Sequence, residues 1–229
     1  MIDDPLDLIA GRLIASVQAA AGSPVRDTAV IAALAQSALR GGASGLRLNG
    51  PEDIRHVRAL TRAPIIGLHK VHNGTRNVIT PRVDLAVGLA DAGADVIAVD
   101  ATAELLGDRF ELLREIADET GRPVMADVST FDEGVRAWES GAAIVGTTLS
   151  GYTPHSRSAD GAGPDIRLVE QLVAAGVPTI AEGRYQTPEQ VRQAFDCGAF
   201  AVVVGGAITD PIAITRRFVA ATPAMRGAS

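Results

Sequence analysis

The stretch DAGADVIAVD, residues 91–100, joins the end of an amphipathic segment to a short apolar run through one glycine. A glycine in this place is typical of a helix C-terminus, and the valine, isoleucine and alanine run is typical of a buried parallel strand. The same order recurs in RGGASGLRL (40–48), ESGAAIVGTT (139–148), AAGVPTIAEG (174–183) and DCGAFAVVVGG (196–206). The repetition indicates a chain of successive βα units.

The apolar runs predict eight strands. They lie approximately at 12–18, 44–48, 64–69, 95–100, 123–128, 143–148, 178–182 and 200–205. Helices are predicted between them, near 27–40, 51–62, 81–92, 109–120, 131–140, 164–175, 187–197 and 210–221. Two helices are expected to begin with a threonine N-cap followed by proline, at Thr187-Pro188 and Thr80-Pro81.

Eight βα units within 229 residues favour a closed barrel over an open doubly wound sheet, which more often has about five or six strands. No long glycine-rich or proline-rich linker divides the chain. We therefore predict an α/β fold, a (β/α)8 TIM barrel, with residues 1–229 forming one catalytic domain.

The composition restricts the kind of partner. The formal net charge is -6 and 3% of residues are aromatic, whereas nucleic-acid-binding surfaces are usually basic. No apolar run reaches the roughly 20 residues needed to span a bilayer, and the acidic start MIDDPLD is unlike a signal peptide. The single cysteine, Cys197, cannot form an internal disulfide, which suits a reducing compartment. We expect a cytoplasmic protein that binds neither nucleic acid nor membrane.

Lys70, at the end of PIIGLHK (64–70), is the only lysine among 21 lysine and arginine residues. Where a solvated positive charge is enough, this chain uses arginine. A lysine amine can lose its proton once it is partly desolvated, whereas arginine stays protonated. Lys70 is therefore a candidate base or nucleophile; the alternative is a surface lysine without a special role.

Polar residues follow almost every predicted strand, at the end of the barrel where TIM-barrel active sites lie. They are Gln18, Arg47, Lys70, Asp100, Thr102, Asp127, Ser129, Thr130, Thr147, Thr148, Glu182, Arg184, Gly205 and Gly206. Any one of them can instead cap the next helix, and for Asp100, Ser129 and Thr130 that alternative is equally favoured. As a set they predict a site at the barrel mouth.

Two features of this set narrow the chemistry. Gly205-Gly206, after the last strand, allows backbone N–H groups to approach a phosphate, although such glycines also make simple tight turns. Lys70 and Glu182 can act as acid and base on one substrate carbon if the site brings their pKa values toward neutrality. Tyr152 either lines the site or is a structural loop residue. His69 and His72 lack a completing carboxylate, so we predict no metal site.

Several motifs resemble those of the N-acetylmannosamine-6-phosphate 2-epimerases and stand in the order of that family. They are GLR (45–47), IIGLHK (65–70), VITP (78–81), AGADVIAVDAT (92–102), MADVST (125–130), TTLSGYT (147–153), PTIAEGRYQTPEQ (178–190) and VVVGGAIT (202–209). The resemblance implies a (β/α)8 barrel that interconverts N-acetylmannosamine 6-phosphate and its glucosamine epimer without metal or organic cofactor, in sialic-acid or amino-sugar catabolism.

The resemblance also implies roles for particular residues. Lys70 and Glu182 would be the catalytic acid/base pair. The substrate-binding candidates are Gln18, Arg47, Asp127, Thr148, Tyr152 and Arg184. The phosphate-binding candidates are Gly183, Gly205 and Gly206. The expected partner is a small amino-sugar phosphate, and a homodimer is a further expectation.

The chemistry of the reaction is consistent with an essential lysine. Epimerisation at C2 removes a carbon-bound proton beside the C1 carbonyl and returns one to the opposite face, so it needs two proton-handling groups. Arginine can stabilise the enolate that forms but cannot take the proton. Two alternatives stay open: a Schiff-base aldolase that uses Lys70, and a non-catalytic sugar-phosphate-binding protein.

One residue departs from the family pattern. The segment GGAITDP places Asp210 where family members usually have an arginine able to reach the phosphate. Either Arg184, Arg216 or Arg217 takes over that role, or Asp210 points away, or the substrate is not the usual 6-phosphate.

Overall fold

The computed structural model describes residues 4–156 and 163–223. Its strands are β1 (Leu13–Val17), β2 (Gly45–Asn49), β3 (Ile65–Leu68), β4 (Lys70–His72), β5 (Asn77–Ile79), β6 (Val96–Asp100), β7 (Val124–Asp127), β8 (Ile144–Gly146), β9 (Thr179–Ala181) and β10 (Ala201–Val204). All except β4 and β5 are parallel neighbours in a closed barrel, which β10 completes by pairing with β1. The predicted (β/α)8 barrel and its eight strands are confirmed.

Helices surround the barrel. They are α1 (Pro5–Ile9), α2 (Thr28–Arg40), α3 (Pro51–Arg58), α4 (Val83–Asp91), α5 (Ala103–Leu106), α6 (Glu111–Thr120), α7 (Phe131–Glu139), α8 (Ile166–Ala174), α9 (Pro188–Asp196) and α10 (Pro211–Ala220). The eight predicted helices are all present. The short helices α1 and α5 were not predicted, and α3 ends at Arg58 rather than near 62.

The barrel strands are buried on both faces because helices cover the outside and side chains fill the inside. Ile66, Met125 and Ile180 belong to the cluster that fills the interior. Ile9 of α1, which is fully buried, packs in the same cluster. The short helix α1 therefore covers the amino-terminal end of the barrel, opposite the end where an active site is expected.

A hairpin missed by the sequence analysis follows β3. Strands β4 and β5 pair antiparallel, with Lys70 opposite Ile79 and His72 opposite Asn77. The turn contains Gly74, whose φ of 97° is a conformation that favours glycine. The Asn73-Gly74 dipeptide is a strong hairpin signal, so the sequence did contain the evidence.

The predicted cap at Thr80-Pro81 is wrong, whereas the one at Thr187-Pro188 is confirmed. Thr187 forms a capping box at the start of α9. Helix α4 begins at Val83 with Arg82 as its N-cap residue. Thr80 is fully buried and bonds to His69 at the base of the hairpin, so its hydroxyl is not available to cap a helix.

Helices long and apolar enough to cross a membrane are absent from the part of the chain that the structure describes.

Candidate active site

A cleft of about 380 Å³ lies at the carboxyl ends of the barrel strands. Its lining includes nine of the predicted site residues: Gln18, Lys70, Thr148, Tyr152, Glu182, Gly183, Arg184, Gly205 and Gly206. The structure thus brings together residues from five strand ends. Arg47 and Asp127, the other two predicted residues, lie beneath the cleft and are 1% and 0% exposed.

Arg47 on β2 forms a two-point ion pair with Asp127 at the end of β7. Its Nη1 donates to Asp127 Oδ1 at 3.0 Å and its Nη2 to Asp127 Oδ2 at 2.6 Å. Nη1 also donates to Glu182 Oε2. One buried cation therefore holds two carboxyl groups. The burial of Arg47 and Asp127 favours a role in holding Glu182 over direct contact with a ligand.

Thr148 links the same two carboxyl groups. Its hydroxyl lies 2.5 Å from Asp127 Oδ1 and 3.1 Å from Glu182 Oε2, and it accepts a hydrogen bond from Arg47 Nη1 at 3.2 Å. Because the hydroxyl has a single proton, it donates to one carboxyl group at a time. Glu182 Oε2 is thus fixed by protein donors, while Oε1 has no partner among the described residues.

Glu182 is also fixed through its backbone. Its N–H donates to Thr147 Oγ1 at 3.0 Å, and its carbonyl accepts from the same hydroxyl at 2.9 Å. The side chain is 12% exposed, so it meets the cleft without being open to bulk water. This combination of a fixed backbone and a partly buried carboxyl suits a group that must meet one substrate atom.

Lys70, the first residue of β4, reaches the cleft from the opposite rim. Its backbone N–H donates to Asn49 Oδ1 at 2.9 Å, which ties the start of the hairpin to the end of β2. The residue is exposed at the rim, although the surrounding protein removes part of the water from its amine. No carboxylate in 4–156 or 163–223 forms an ion pair with its amine.

Burial and charge move the pKa values of this amine and of Glu182 toward each other. Partial loss of water, with the positive charge of Arg47, lowers the pKa of Lys70, and nearby Glu182 opposes that change. Burial raises the pKa of Glu182, and the charge of Asp127 adds to it, while Arg47 opposes it. The ammonium of Lys70 is thus a stronger acid than usual and the carboxylate of Glu182 a stronger base, which is what proton exchange near neutral pH requires.

At the far end of the cleft, two glycine turns face each other. In the described chain the backbone N–H groups of Gly183 and Gly206 donate to no protein acceptor. Asp210, the N-cap of α10, also lines this end, and its Oδ1 accepts from the N–H groups of Ile212 and Ala213 at 3.0 and 3.1 Å. Its carboxylate thus already satisfies the first N–H groups of the helix, which leaves the glycine turns as the free donors.

Arg184 is turned toward the loop that follows β8. Its Nε donates to the Gly163 carbonyl at 2.7 Å, its Nη1 donates to the Ser150 carbonyl, and its guanidinium lies 5.4 Å from the centre of the Tyr152 ring. Gly151 permits this approach because any side chain there would overlap the guanidinium. Arg184 lines the cleft, but its Nε and Nη1 groups donate to carbonyl groups of this loop.

Gln18 has an acceptor to which none of the described residues donates. Its Nε2 donates to Ser16 Oγ at 2.8 Å, whereas its buried Oε1 has no hydrogen-bond partner within 4–156 and 163–223. Buried polar atoms are nearly always satisfied, so this oxygen is suited to an N–H or O–H group of a ligand. Tyr185 Oη, at the edge of the same cleft, is likewise buried and has no partner in the described part of the chain.

The structure separates capping residues from cleft residues. Thr130 is the N-cap of α7 in a capping box with Glu133, and Ser129 also bonds to Glu133, so both are structural. Sequence reasoning missed Ser16, Tyr185 and Thr209, which line the cleft. Ser16 could have been found, because it lies two residues before Gln18 and strands alternate their side chains.

The closed (β/α)8 barrel with a polar cleft at the carboxyl ends of its strands defines a TIM-barrel enzyme. The comparisons with known proteins agree with this class. Residues 31–224 match the model of the N-acetylmannosamine-6-phosphate epimerase family. The chain belongs to that family.

Named relatives support this membership. A Clostridium perfringens protein named as an N-acetylmannosamine-6-phosphate 2-epimerase is 39% identical over 217 residues, covering 93% of this chain and 97% of the relative. A Klebsiella pneumoniae protein of the same name is 43% identical over 200 residues, covering 87% and 84%. The resemblance seen in the motifs is therefore confirmed.

Solved structures agree at two levels. The N-acetylmannosamine-6-phosphate 2-epimerase from C. perfringens superposes with a TM-score of 0.88 at 37% identity, over 96% of this chain and 97% of the other. A lactate oxidase structure from Pediococcus acidilactici gives a TM-score of 0.62 at 16% identity, over 88% and 64%. The second likeness concerns the barrel fold alone.

Proposed function

We propose that this protein interconverts N-acetylmannosamine 6-phosphate and N-acetylglucosamine 6-phosphate by removing and returning the proton at C2. The observation that carries the proposal is the pairing of Lys70 and Glu182 in one cleft, with the pKa of the amine lowered and that of the carboxyl group raised. Family membership gives the substrate, and the pair gives the chemistry.

In the proposed reaction the open-chain sugar presents C2 between the two groups. The deprotonated member of the pair takes the C2 proton, and the electron pair of the C–H bond moves toward the C1 carbonyl oxygen to give an enolate. The protonated member then delivers a proton to the other face of C2, which inverts that carbon. Net proton count is unchanged, because one group gains the proton that the other loses.

The surrounding groups prepare this exchange. Arg47 and Thr148 hold one oxygen of Glu182, which fixes the orientation of the carboxyl group and therefore the position of its other oxygen. The ammonium of Lys70, when protonated, stabilises the charge that develops on the enolate oxygen. No metal ion or organic cofactor takes part in the proposed steps.

The rest of the cleft supports binding of an amino-sugar phosphate. The free N–H groups of Gly183 and Gly206 suit a phosphate, and the free Oε1 of Gln18 suits a donor such as the acetamido N–H. Gly205, which has no side chain, allows the backbone of this turn to approach the phosphate closely. We assign Tyr152 and Arg184 to the sugar side of the cleft, where they close its outer wall.

Proton NMR in deuterated water tests the function directly. With N-acetylmannosamine 6-phosphate, the C2 proton signal should disappear while signals of the glucosamine epimer grow. Binding without exchange would leave a sugar-phosphate-binding protein. Borohydride treatment in the presence of the substrate separates the remaining alternative, since a Schiff-base aldolase would become covalently labelled at Lys70.

We also infer that two copies associate through α10. No residue of α10 is buried, and Phe218 is 74% exposed. An apolar cleft of about 510 Å³ lies beside it, with Leu13, Val191 and Ile208 in its lining. A second copy that covers both surfaces would remove them from water. Analytical ultracentrifugation should find a dimer that Phe218→Asp converts to a monomer. A monomeric wild-type protein would exclude the association.

The cytoplasmic setting stays a prediction from the composition.

A further inference from the structure

The β4–β5 hairpin carries Lys70 as its first residue. Asn73 organises its turn, because Asn73 Oδ1 accepts from the N–H groups of Thr75 and Arg76, both at 3.0 Å. An isolated two-stranded hairpin is at best marginally stable in water. The position of the Lys70 amine therefore depends on how the hairpin is attached to the barrel.

Two hydrogen bonds close the base of the hairpin, and a third ties that base to the end of β2. His69 N–H donates to Thr80 Oγ1 at 3.0 Å, Thr80 N–H donates to the His69 carbonyl at 2.8 Å, and Lys70 N–H donates to Asn49 Oδ1 at 2.9 Å. Thr80 has a φ of 45°, which is unfavourable for a β-branched residue and is kept by these surroundings. These bonds leave the turn itself unattached.

Arg76 attaches the turn. Its Nη1 donates to Asp100 Oδ2 at 2.6 Å, its Nη2 to Thr102 Oγ1 at 2.9 Å, and its Nε to Glu104 Oε2 at 3.2 Å. The Arg76 side chain is 15% exposed and Asp100 is fully buried at the end of β6. Charge-assisted bonds of this kind, shielded from water, are among the strong ones.

We propose that Arg76 is a positioning residue for Lys70, which it holds over the cleft by tying the hairpin turn to Asp100. Arg76 does not line the cleft, so it acts through the hairpin rather than on a ligand. The inference rests on the proposed function, in which Lys70 exchanges a proton with the substrate.

Arg76 also neutralises Asp100, and this gives a second route by which it can influence the site. Asp100 is the register partner of Asp127 across β6 and β7. An unneutralised Asp100 would place a negative charge beside the Arg47–Asp127 pair. The experiment must therefore separate attachment of the hairpin from charge.

Arg76→Met removes both the attachment and the charge. We expect kcat to fall by about 10- to 100-fold with KM within about twofold, because a misplacement near 1 Å costs up to about 100-fold while the other cleft residues stay in place. Arg76→Lys should recover part of the loss, since an ammonium can make a single bond to Asp100. Arg82→Met is the matched control, because Arg82 and its partner Asp84 are 58% and 67% exposed. It should leave kcat unchanged.

The double variant Arg76→Met/Asp100→Asn separates the two routes and keeps the test available if Arg76→Met fails to fold. It leaves no unpaired buried charge, so we expect near wild-type stability but a kcat as low as that of Arg76→Met. Recovery of wild-type kcat in the double variant would overturn the inference, because charge alone would then explain the effect. Wild-type kcat in Arg76→Met would overturn it as well.

Hydrogen exchange gives a readout that does not depend on activity. The backbone N–H groups of β4 and β5 should exchange faster in the double variant than in Arg82→Met, while those of the barrel strands should not change. Unchanged exchange in the hairpin would overturn the inference. Absence of C2 exchange in the wild-type protein would instead refute the proposed function, so the two failures are distinguishable.

Discussion

Arg47 and Asp127 form a two-point ion pair beneath the cleft, at 3.0 and 2.6 Å, with side chains 1% and 0% exposed. The pair joins two strands on different sides of the barrel mouth. Because Arg47 Nη1 also donates to Glu182, the same contact sets the position of the carboxyl group that faces the cleft. One guanidinium therefore holds both carboxyl groups in place.

Removing that guanidinium should destabilise the protein strongly. Arg47→Met leaves two buried carboxyl groups without their cation, and breaking a buried pair in this way typically costs about 3–5 kcal/mol. Urea unfolding measures the loss. Arg82→Met, which removes an exposed arginine, should give the wild-type unfolding curve. Equal curves for both variants would mean that the buried pair contributes nothing to stability.

Lys70→Arg should keep the fold and abolish turnover. The guanidinium retains the positive charge but cannot supply a neutral base at workable pH. Circular dichroism checks the fold, and loss of the C2 proton signal in deuterated water measures turnover. Near wild-type turnover in this variant would remove Lys70 from proton transfer.

Glu182→Gln should lower kcat by about 10²–10⁴-fold, because the amide keeps the size of the side chain but cannot transfer the proton. Calorimetry should still detect substrate binding. If the variant kept its rate and lost affinity, Glu182 would be a sugar-binding residue, and its assignment to proton transfer would be wrong.

The pH dependence of kcat/KM should be a bell that is narrower than ordinary side chains would give. In the active state Lys70 and Glu182 hold one proton between them. Activity is lost at low pH, when protonation of Glu182 gives the pair a second proton, and at high pH, when Lys70 loses the remaining one. The pKa of Glu182 is raised, which places the acid limb above 4.5. The pKa of Lys70 is lowered, which places the alkaline limb below 10.5. Limbs outside these bounds would contradict the assignment.

Asp210→Arg tests how the cleft meets a phosphate. The Asp210 carboxylate lies at the cleft and caps α10, so it should oppose a bound dianion and arginine should attract one. We expect the variant to bind N-acetylmannosamine 6-phosphate more tightly and the unphosphorylated sugar as before. Equal changes for both ligands would report a disturbed loop. If the wild-type protein also epimerises the free sugar equally well, the phosphate site is wrong.

Local sequence was enough for most of the fold. The glycine and apolar run at 91–100, and its repeats, placed eight strands and eight helices, because helix ends and buried strands have short-range signatures. The Asn73-Gly74 turn had such a signature too, and β4 and β5 were missed because Lys70 was assigned only to the end of a strand.

The candidate site was also predictable only in part. The position of Lys70 and Glu182 after barrel strands was enough to nominate them, since the carboxyl ends of all strands in a closed parallel barrel meet at one face. Which groups bond to one another did not follow. Arg47 is 80 residues from Asp127 and 135 from Glu182, and the three meet only because the barrel closes.

Arg184 and Arg76 show the same limit. Nothing in their neighbouring residues indicates that the first turns toward the Ser150 and Gly163 carbonyls and the second toward Asp100. A long side chain takes its direction from the acceptors that the packed chain places around it. The order of residues thus determined the barrel and the set of candidate groups, whereas the packing of distant strands decided their partners, their burial and therefore their pKa values.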